Sequence, residues 1–202
     1  MSSHAYLSPS SSERWISCPP SVKLSEKFQD EVSSYAKEGT EAHALCEHKL
    51  KKLLGQDSKD PTDDLDFYSE EMEECAESYA TYVMEIISMY KDPLVFIEQR
   101  LDLSKFAKES YGTADCIVLA DNEINVVDYK HGQGILVDAY ENTQLMLYGL
   151  GALNLFDGIY DIKKVIMHIY QPRRENISTF EMSTDELYKW AEEVLILKSK
   201  LA

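Results

Sequence analysis

Residues 112–130 read GTADCIVLADNEINVVDYK and contain two apolar runs separated by a short polar break. Both runs are rich in β-branched residues, and the break has the length of a hairpin connection, so this segment predicts two antiparallel strands. The first strand carries Asp115, and the second carries Asp128 near its end. Pairing of the strands as a hairpin would place these carboxylates side by side. The segment therefore predicts both a sheet and a pair of acids within it.

Helical and strand-like patterns alternate on both sides of this hairpin. The predicted elements, in chain order, are helices over 35–54 and 65–90 with an Asp/Pro-rich loop at 57–64 between them, strands over 93–101, 112–119 and 123–129, a helix from a capping box at Asp138 and Glu141 to about Phe156, strands over 162–170 and 177–181, and a helix from a capping box at Ser183 and Glu186 to Ala202. This order predicts an α/β fold in which helices flank a mixed central sheet. We expect a single domain over 1–202, with a mostly helical N-terminal part at 1–91 and an α/β core at 92–202.

The acidic residues are concentrated in one part of the chain. The formal net charge is −16 over 202 residues, and residues 57–85 hold eleven acids against one base, so this segment alone carries −10. Binding of polyphosphate usually shows as a basic patch, so the charge lowers the expectation of tight nucleic-acid binding without excluding it. A solvated helix face is the ordinary explanation of such a run, and a docking face for a basic partner is the alternative.

The composition is that of a globular protein with a core, since 44% of the residues are hydrophobic and 28% are charged. No run reaches the roughly 18 apolar residues of a membrane helix. Met1–Tyr6 has neither the basic nor the apolar region of a signal peptide. The four cysteines show no pairing rhythm, which indicates thiols in a reducing compartment. We therefore expect a cytoplasmic protein without a membrane partner.

Asp128 and Lys130 lie two residues apart on the second strand of the hairpin, so their side chains point to the same face. Asp115 and Asp128 are hard oxygen ligands that suit Mg²⁺ or Mn²⁺, with water and a substrate phosphate completing the shell. Tyr129 faces the other way, but its backbone carbonyl can reach the metal. A lysine beside such an ion can orient or deprotonate a water molecule, or neutralise charge on a phosphate. The ordinary alternative is an exposed cross-strand ion pair.

Four short motifs follow one another along the chain. His43 lies on a predicted helix, Gly112–Asp115 forms a Gly-x-x-Asp motif, and Asp128–Lys130 forms an Asp-x-Lys motif. Gln144 and Tyr148 then form a helical Gln-x-x-x-Tyr motif. Together these motifs resemble those of the PD-(D/E)xK nuclease superfamily, most closely its RecB-like branch, which includes the exonucleases of CRISPR adaptation and related phage proteins. The resemblance spans nearly the whole chain.

The resemblance implies a restriction-endonuclease-like core and metal-dependent hydrolysis of DNA, as an exonuclease acting on single strands or duplex ends. The roles that it implies are catalysis by Asp115, Asp128 and Lys130, ligation of Mg²⁺ or Mn²⁺ by His43, Asp115, Asp128 and the Tyr129 carbonyl, substrate contact by Gln144 and Tyr148, and an additional acidic group at Glu98. It also implies a bacterial or phage-encoded protein with recombination or phage replication proteins as partners. The alternative is a non-catalytic module that keeps the nuclease fold and binds nucleic acid or a protein partner.

Some of these residues also have ordinary structural interpretations. Gln144 and Tyr148 are four residues apart and share a helix face, which is also typical of a polar pair at the edge of a core. His43 by itself fits a partly buried structural histidine. Cys46 and Glu47 follow it at helical spacing, which suggests zinc, but the His-Glu-x-x-His arrangement is lacking.

Cys18 follows the first short helical segment, at a position that resembles the first iron–sulfur ligand of several RecB-like nucleases. In those proteins three further cysteines lie near the C-terminus. No cysteine follows Cys116 here, and a [4Fe–4S] cluster takes four thiolates. A cluster therefore requires a longer form with a cysteine-bearing C-terminal segment, and the last helix, which lacks a stop signal, suggests truncation. The alternative is that Cys18 is a small buried residue.

Overall fold

The computed structural model describes residues 5–28, 33–156 and 158–202. Residues 1–4, on which part of the expectation about a signal peptide rests, lie outside these ranges. The helices are α1 (Ser12–Ser17), α2 (Ser21–Ser25), α3 (Ser34–Leu53), α4 (Glu70–Ser88), α5 (Thr143–Phe156), α6 (Thr184–Trp190) and α7 (Ile196–Leu201), and a π-helical turn at Ala191–Leu195 joins the last two. The strands are β1 (Leu94–Asp102), β2 (Tyr111–Ala120), β3 (Glu123–Tyr129), β4 (Lys164–Gln171) and β5 (Asn176–Ser183).

The five strands form one sheet in the order β1-β2-β3-β4-β5, so each strand lies beside its neighbour in sequence. β1, β2 and β3 form an antiparallel meander, β3 pairs parallel with β4, and β4 pairs antiparallel with β5. Helix α5 lies in the connection between the two parallel strands, which cannot be joined by a tight turn. The predicted α/β fold with a mixed sheet and flanking helices is confirmed.

Two hydrophobic cores cover the sheet. In one core, strand residues such as Val118 and Val127 pack with apolar side chains of α3 and α4. In the other, α5 packs on the strands together with Trp15 of α1 and apolar residues of the C-terminal helices. Residues 145–153 of α5 are all buried, which explains why that segment reads as a continuous apolar run. The N-terminal helices therefore contribute to both cores.

The start of α5 differs from the prediction. The expected capping box at Asp138 and Glu141 is wrong, because the helix begins at Thr143. Asn142 caps it instead, since its side-chain oxygen accepts the Gln144 N–H at 3.1 Å. Glu141 has a φ of 49°, which places it outside the helix.

Other boundaries follow local signals more closely. Ser183 and Glu186 form the predicted capping box at the start of α6, and β3 has the predicted bounds. Helix α4 begins at Glu70, five residues after the predicted start, because the Ser69 side chain caps it there. Within the described ranges, no helix is long and apolar enough to span a bilayer.

A buried histidine links α4 to the sheet through polar contacts. The Tyr82 hydroxyl lies 2.9 Å from His168 Nδ1, and His168 Nε2 lies 3.1 Å from the side-chain oxygen of Asn125. Because an amide oxygen only accepts hydrogen bonds, Nε2 carries the proton and Nδ1 accepts from the tyrosine. The neutral ring thus satisfies both partners, and burial lowers the pKa of His168 to about 4.

We predict that His168→Gln reduces the acid sensitivity of the fold. The pKa of His168 in the folded protein lies below its ordinary value of 6.5. The neutral ring therefore contributes its full stability above pH 6.5, and this contribution is lost as the pH falls from 6.5 toward 4. For the wild type this loss amounts to up to about 3 kcal/mol. Urea unfolding near neutral pH and at a pH of about 4.5 measures it. Equal losses in wild type and variant would contradict this assignment.

Candidate metal centre

Three acidic residues lie on adjacent strands of the meander. Glu98 of β1 lies opposite Asp115 of β2, between two paired positions of the ladder. One residue beyond the last β2–β3 pair, the register places Asp128 of β3 opposite Asp115. Glu98 has a φ of 49°, so its backbone lies in the left-handed region within a strand. The predicted hairpin therefore forms, and it brings a third acid beside the expected pair.

Helix α3 adds a histidine to these acids. His43 Nδ1 lies 3.2 Å from Asp115 Oδ1, while Asp115 Oδ2 accepts the Tyr129 N–H at 2.7 Å. One potential ligand atom from each of His43, Glu98 and Asp115 lies within 4.8 Å of the others, so these residues can hold one metal ion. Glu98, which the sequence suggests only as an additional acid, is thus part of the cluster.

Asp128, a predicted metal ligand, is not one of these three residues and contacts a different set of side chains. Lys130 Nζ lies 2.8 Å from Asp128 Oδ2 and donates to the side-chain oxygen of Gln144 at 2.9 Å. The Gln144 amide nitrogen donates to Asp128 Oδ1 and to the Tyr148 hydroxyl, each at 3.2 Å. The Asp128 side chain is only 2% exposed, so the alternative of an exposed ion pair is wrong. The predicted proximity of Asp128, Lys130, Gln144 and Tyr148 is seen in the structure.

Gly112 is required by packing next to this group. A Cβ atom at this position would lie 2.7 Å from Pro9 Cγ and 2.9 Å from Cε1 of the Tyr148 ring. Any side chain would therefore displace Tyr148 or the N-terminal segment. The glycine of the Gly-x-x-Asp motif thus leaves room for the tyrosine of the Gln-x-x-x-Tyr motif.

Charge interactions within the cluster oppose the effect of burial. Burial disfavours the imidazolium of His43, but the adjacent Asp115 carboxylate outweighs it and raises the pKa of His43 to about 9. Burial alone would raise the pKa of Asp115, but His43, the Tyr129 N–H and Lys130 hold it below its ordinary value. Without metal, His43 and Asp115 therefore form an ion pair at neutral pH.

The other two acids retain protons more readily than ordinary carboxyls. Burial, and then the charge of Asp115, raise the pKa of Glu98 to about 7. Burial also raises the pKa of Asp128, although Lys130 opposes the shift. For Lys130, burial disfavours the ammonium, but Asp128 outweighs it and raises the lysine pKa above its ordinary value. Lys130 is therefore a stable cation at neutral pH.

The structure adds a polar network that the sequence did not predict. His131 Nδ1 lies 2.8 Å from the Tyr129 hydroxyl, and His131 Nε2 lies 3.1 Å from Oε1 of Glu38. Arg173 Nη1 donates to the same Glu38 oxygen at 2.9 Å. Glu38 and Arg173 are 135 residues apart in sequence, so no local pattern could have linked them.

The remaining predicted residues have mixed outcomes. Tyr129 turns its ring into the core with α3 and α4, as expected, and its carbonyl as a metal ligand stays a prediction. Cys46 is buried in the same core, where burial raises the pKa of its thiol, which disfavours the thiolate that zinc binds. Cys18 is exposed at the end of α1, so the alternative of a small buried residue is wrong. Its role as an iron–sulfur ligand in a longer form stays a prediction.

The fold and these contacts define an α/β protein with a candidate carboxylate–histidine metal centre. The chain belongs to the family described as "Protein of unknown function (DUF2800)", whose sequence model matches residues 4–202. A solved structure described as "Crystal structure of SSO0001" aligns over 76% of this chain and 84% of that chain, with 15% identity and a TM-score of 0.28. The family description assigns no activity, so the function has to be argued from the site.

We predict that Glu98→Gln stabilises the metal-free protein at alkaline pH. Because the folded pKa of about 7 lies above the ordinary 4.5, Glu98 contributes stability only at low pH and loses it as the pH rises through 7. Removing the ionisable group should therefore raise the free energy of unfolding at a pH near 8. We expect roughly 1–2 kcal/mol, less than the full shift implies, because water partly screens this side chain.

Glu175→Gln is the matched control for this change. Glu175 also has a φ of 49°, but it is exposed and lies outside the cluster. The backbone effect of replacing glutamate by glutamine is therefore the same in both variants. Urea unfolding of both variants near pH 5 and pH 8 tests the assignment. Glu98 is not held in its neutral form if Glu98→Gln fails to raise the free energy of unfolding near pH 8. The same conclusion follows if Glu175→Gln raises it by an equal amount.

Proposed function

We propose that this protein is a divalent-metal-dependent deoxyribonuclease of the PD-(D/E)xK type, with a restriction-endonuclease-like core, that hydrolyses DNA as an exonuclease. The observation that carries the proposal is the grouping of His43, Glu98 and Asp115 within 4.8 Å. The Lys130 ammonium, which lies beside Asp128 at the end of β3, supports it. A metal-binding cluster beside a fixed cation is the arrangement that phosphodiester hydrolysis uses.

The available donors fit Mg²⁺ or Mn²⁺. Glu98 and Asp115 offer carboxylate oxygens, which both ions prefer, and the His43 nitrogen favours Mn²⁺ of the two. Asp128 Oδ2 is buried and lacks a hydrogen bond of adequate geometry despite the Lys130 ammonium at 2.8 Å. This oxygen therefore retains acceptor capacity for a cation or a metal-bound water molecule.

The protein side chains have distinct roles in this proposal. A bound ion would polarise the phosphate and lower the pKa of a coordinated water molecule. Lys130 stays protonated, so it orients water and neutralises developing phosphate charge rather than removing a proton. Gln144 holds that ammonium through its side-chain oxygen and is available to substrate beside the cleft that both residues line. Tyr148 is buried and acts on the substrate through Gln144.

We predict that Lys130→Ala lowers the rate of DNA cleavage by at least about 100-fold, because the fixed positive charge at the developing phosphate charge is lost. Single-turnover cleavage of end-labelled single-stranded and duplex oligonucleotides with Mg²⁺ or Mn²⁺ measures the rate. The matched control is Lys91→Ala, which removes an exposed lysine after α4 and should cleave like the wild type. Equal rates for Lys130→Ala and wild type would make the catalytic assignment wrong.

We predict that Asp115→Asn weakens Mn²⁺ binding by more than about 100-fold, since losing a direct ligand should exceed the effect of losing an outer contact. Titration calorimetry of the metal-free protein measures the affinity. Asp121→Asn, an exposed change in the turn of the same hairpin, should bind Mn²⁺ like the wild type. Unchanged binding by Asp115→Asn would eliminate the proposed centre. Binding of Mn²⁺ without DNA cleavage would instead favour the non-catalytic module.

A further inference from the structure

We infer that Glu38, His131 and Arg173 form a positioning network that holds helix α3, and with it His43, against the strands of the metal centre. The inference rests on the proposed function for the identity of the site that is positioned. The three residues come from α3, from the segment after β3 and from the turn after β4. The network therefore links helix α3 to two segments that lie outside the α-helices and strands.

The network is continuous from Tyr129 to Arg173. Glu38 Oε1 accepts from Arg173 Nη1 at 2.9 Å and from His131 Nε2 at 3.1 Å. Because a carboxylate only accepts, His131 Nε2 carries the proton, which leaves Nδ1 to accept from the Tyr129 hydroxyl at 2.8 Å. His131 is only 6% exposed, so its ring and its contact with Tyr129 are shielded from water.

The same tyrosine closes a ring of contacts with the metal cluster. Its backbone N–H donates to Asp115 Oδ2, and Asp115 Oδ1 contacts His43. His43 lies on α3 five residues after Glu38. Polar contacts therefore attach helix α3 to the sheet at two points, to β2 through His43 and Asp115, and to the extension of β3 through Glu38 and His131. Two points of attachment restrict both the rotation and the sliding of a helix, whereas one restricts neither completely.

The first turns of α3 have few other attachments. Residues 33–37 are exposed, and Ala42 is the first buried residue of the helix. Gly39 lies between Glu38 and His43, and glycine within a helix is destabilising by roughly 0.5–1 kcal/mol. The segment that presents His43 is therefore intrinsically weak, and Glu38 supplies one of its polar anchors, next to Glu41, whose Oε2 accepts the Phe67 N–H at 2.7 Å.

Arg173 extends the attachment to the second helix of this layer. Its guanidinium donates to both carboxylate oxygens of Glu71 on α4, at 3.2 and 3.0 Å. The Arg173 side chain is 17% exposed and that of Glu38 is 25% exposed, so their contact is only partly screened, whereas the contact with Glu71, which is 54% exposed, is open to solvent. One guanidinium thus connects α3, α4 and the end of β4. Removing a contact made directly to a metal ligand typically changes metal affinity by about 10–100-fold, and here Tyr129 makes that direct contact with Asp115 while Glu38 acts on Tyr129 through His131.

The test compares Glu38→Ala with Glu73→Ala in the full chain. Glu73 of α4 pairs with Lys49 of α3, so its loss removes an ion pair of the same helix without touching Tyr129. We expect Glu38→Ala to weaken Mn²⁺ binding by about 10-fold or more and to alter the visible spectrum of bound Co²⁺. Glu73→Ala should leave both within error of the wild type. Glu38→Gln keeps an acceptor oxygen and should recover part of the lost affinity.

Hydrogen exchange of the metal-free protein provides a readout that is independent of any bound ion. We expect amides 40–46 to lose protection by about 10-fold in Glu38→Ala but not in Glu73→Ala, with α4 unchanged in both. Unchanged affinity and protection in Glu38→Ala, or equal losses in the two alanine variants, would overturn the inference. A wild type that fails to bind Mn²⁺ or to cleave DNA overturns the proposed function, while the exchange comparison still decides whether Glu38 positions α3.

Discussion

The carboxylate of Asp115 is the contact on which the arrangement of this protein depends. One of its oxygens meets His43 of α3, the other accepts an N–H from β3, and its own strand places it opposite Glu98 of β1. A helix and three strands thus converge on one side chain. Burying a carboxylate costs several kcal/mol unless partners compensate it, and here an imidazolium and a backbone N–H do so. The same contacts that stabilise the ionised acid also fix the relative positions of the potential metal ligands.

Two acids near Asp115, Glu98 and Asp128, have features that lower the stability of the fold. Glu98 combines a left-handed backbone within a strand with a carboxyl that resists ionisation beside another acid. Asp128 is almost fully buried, and the Lys130 ammonium lies 2.8 Å from one of its oxygens. Backbone strain and like charges of this kind cluster at functional sites, because ordinary core residues would remove them. The proposed metal site would account for both the backbone of Glu98 and the buried carboxyl of Asp128.

The predictable parts of the site are those that follow from patterns between residues close together in the sequence. The hairpin follows from two apolar runs, and the two-residue spacing of Asp128 and Lys130 gives them one face. Glu98 was expected only as an additional acidic group from the family resemblance, because its place in the cluster depends on the pairing of β1 and on an unusual φ at a single residue. The start of α5 was predicted wrongly, since two residues with capping chemistry lie within five positions and only the backbone selects Asn142. Contacts between residues far apart in sequence, as in the Glu38 network, leave no local signal at all.

The order of strands also has a consequence for the way the chain acquires its structure. β1, β2 and β3 are consecutive antiparallel neighbours, so their pairing closes short loops and costs little chain entropy. The parallel pairing of β3 with β4 has to close the long connection that contains α5, and contacts between residues so far apart in sequence form late in folding. Glu98, Asp115 and Asp128 are thus brought together by the strands whose pairing costs the least chain entropy. The partners of Lys130 and Glu38 on α5 and after β4 arrive with the slower, long-range pairing. The three carboxyl groups therefore come together through pairing of strands that are neighbours in sequence. The contacts that fix their surroundings, from Gln144 and Arg173, come from residues more distant in sequence.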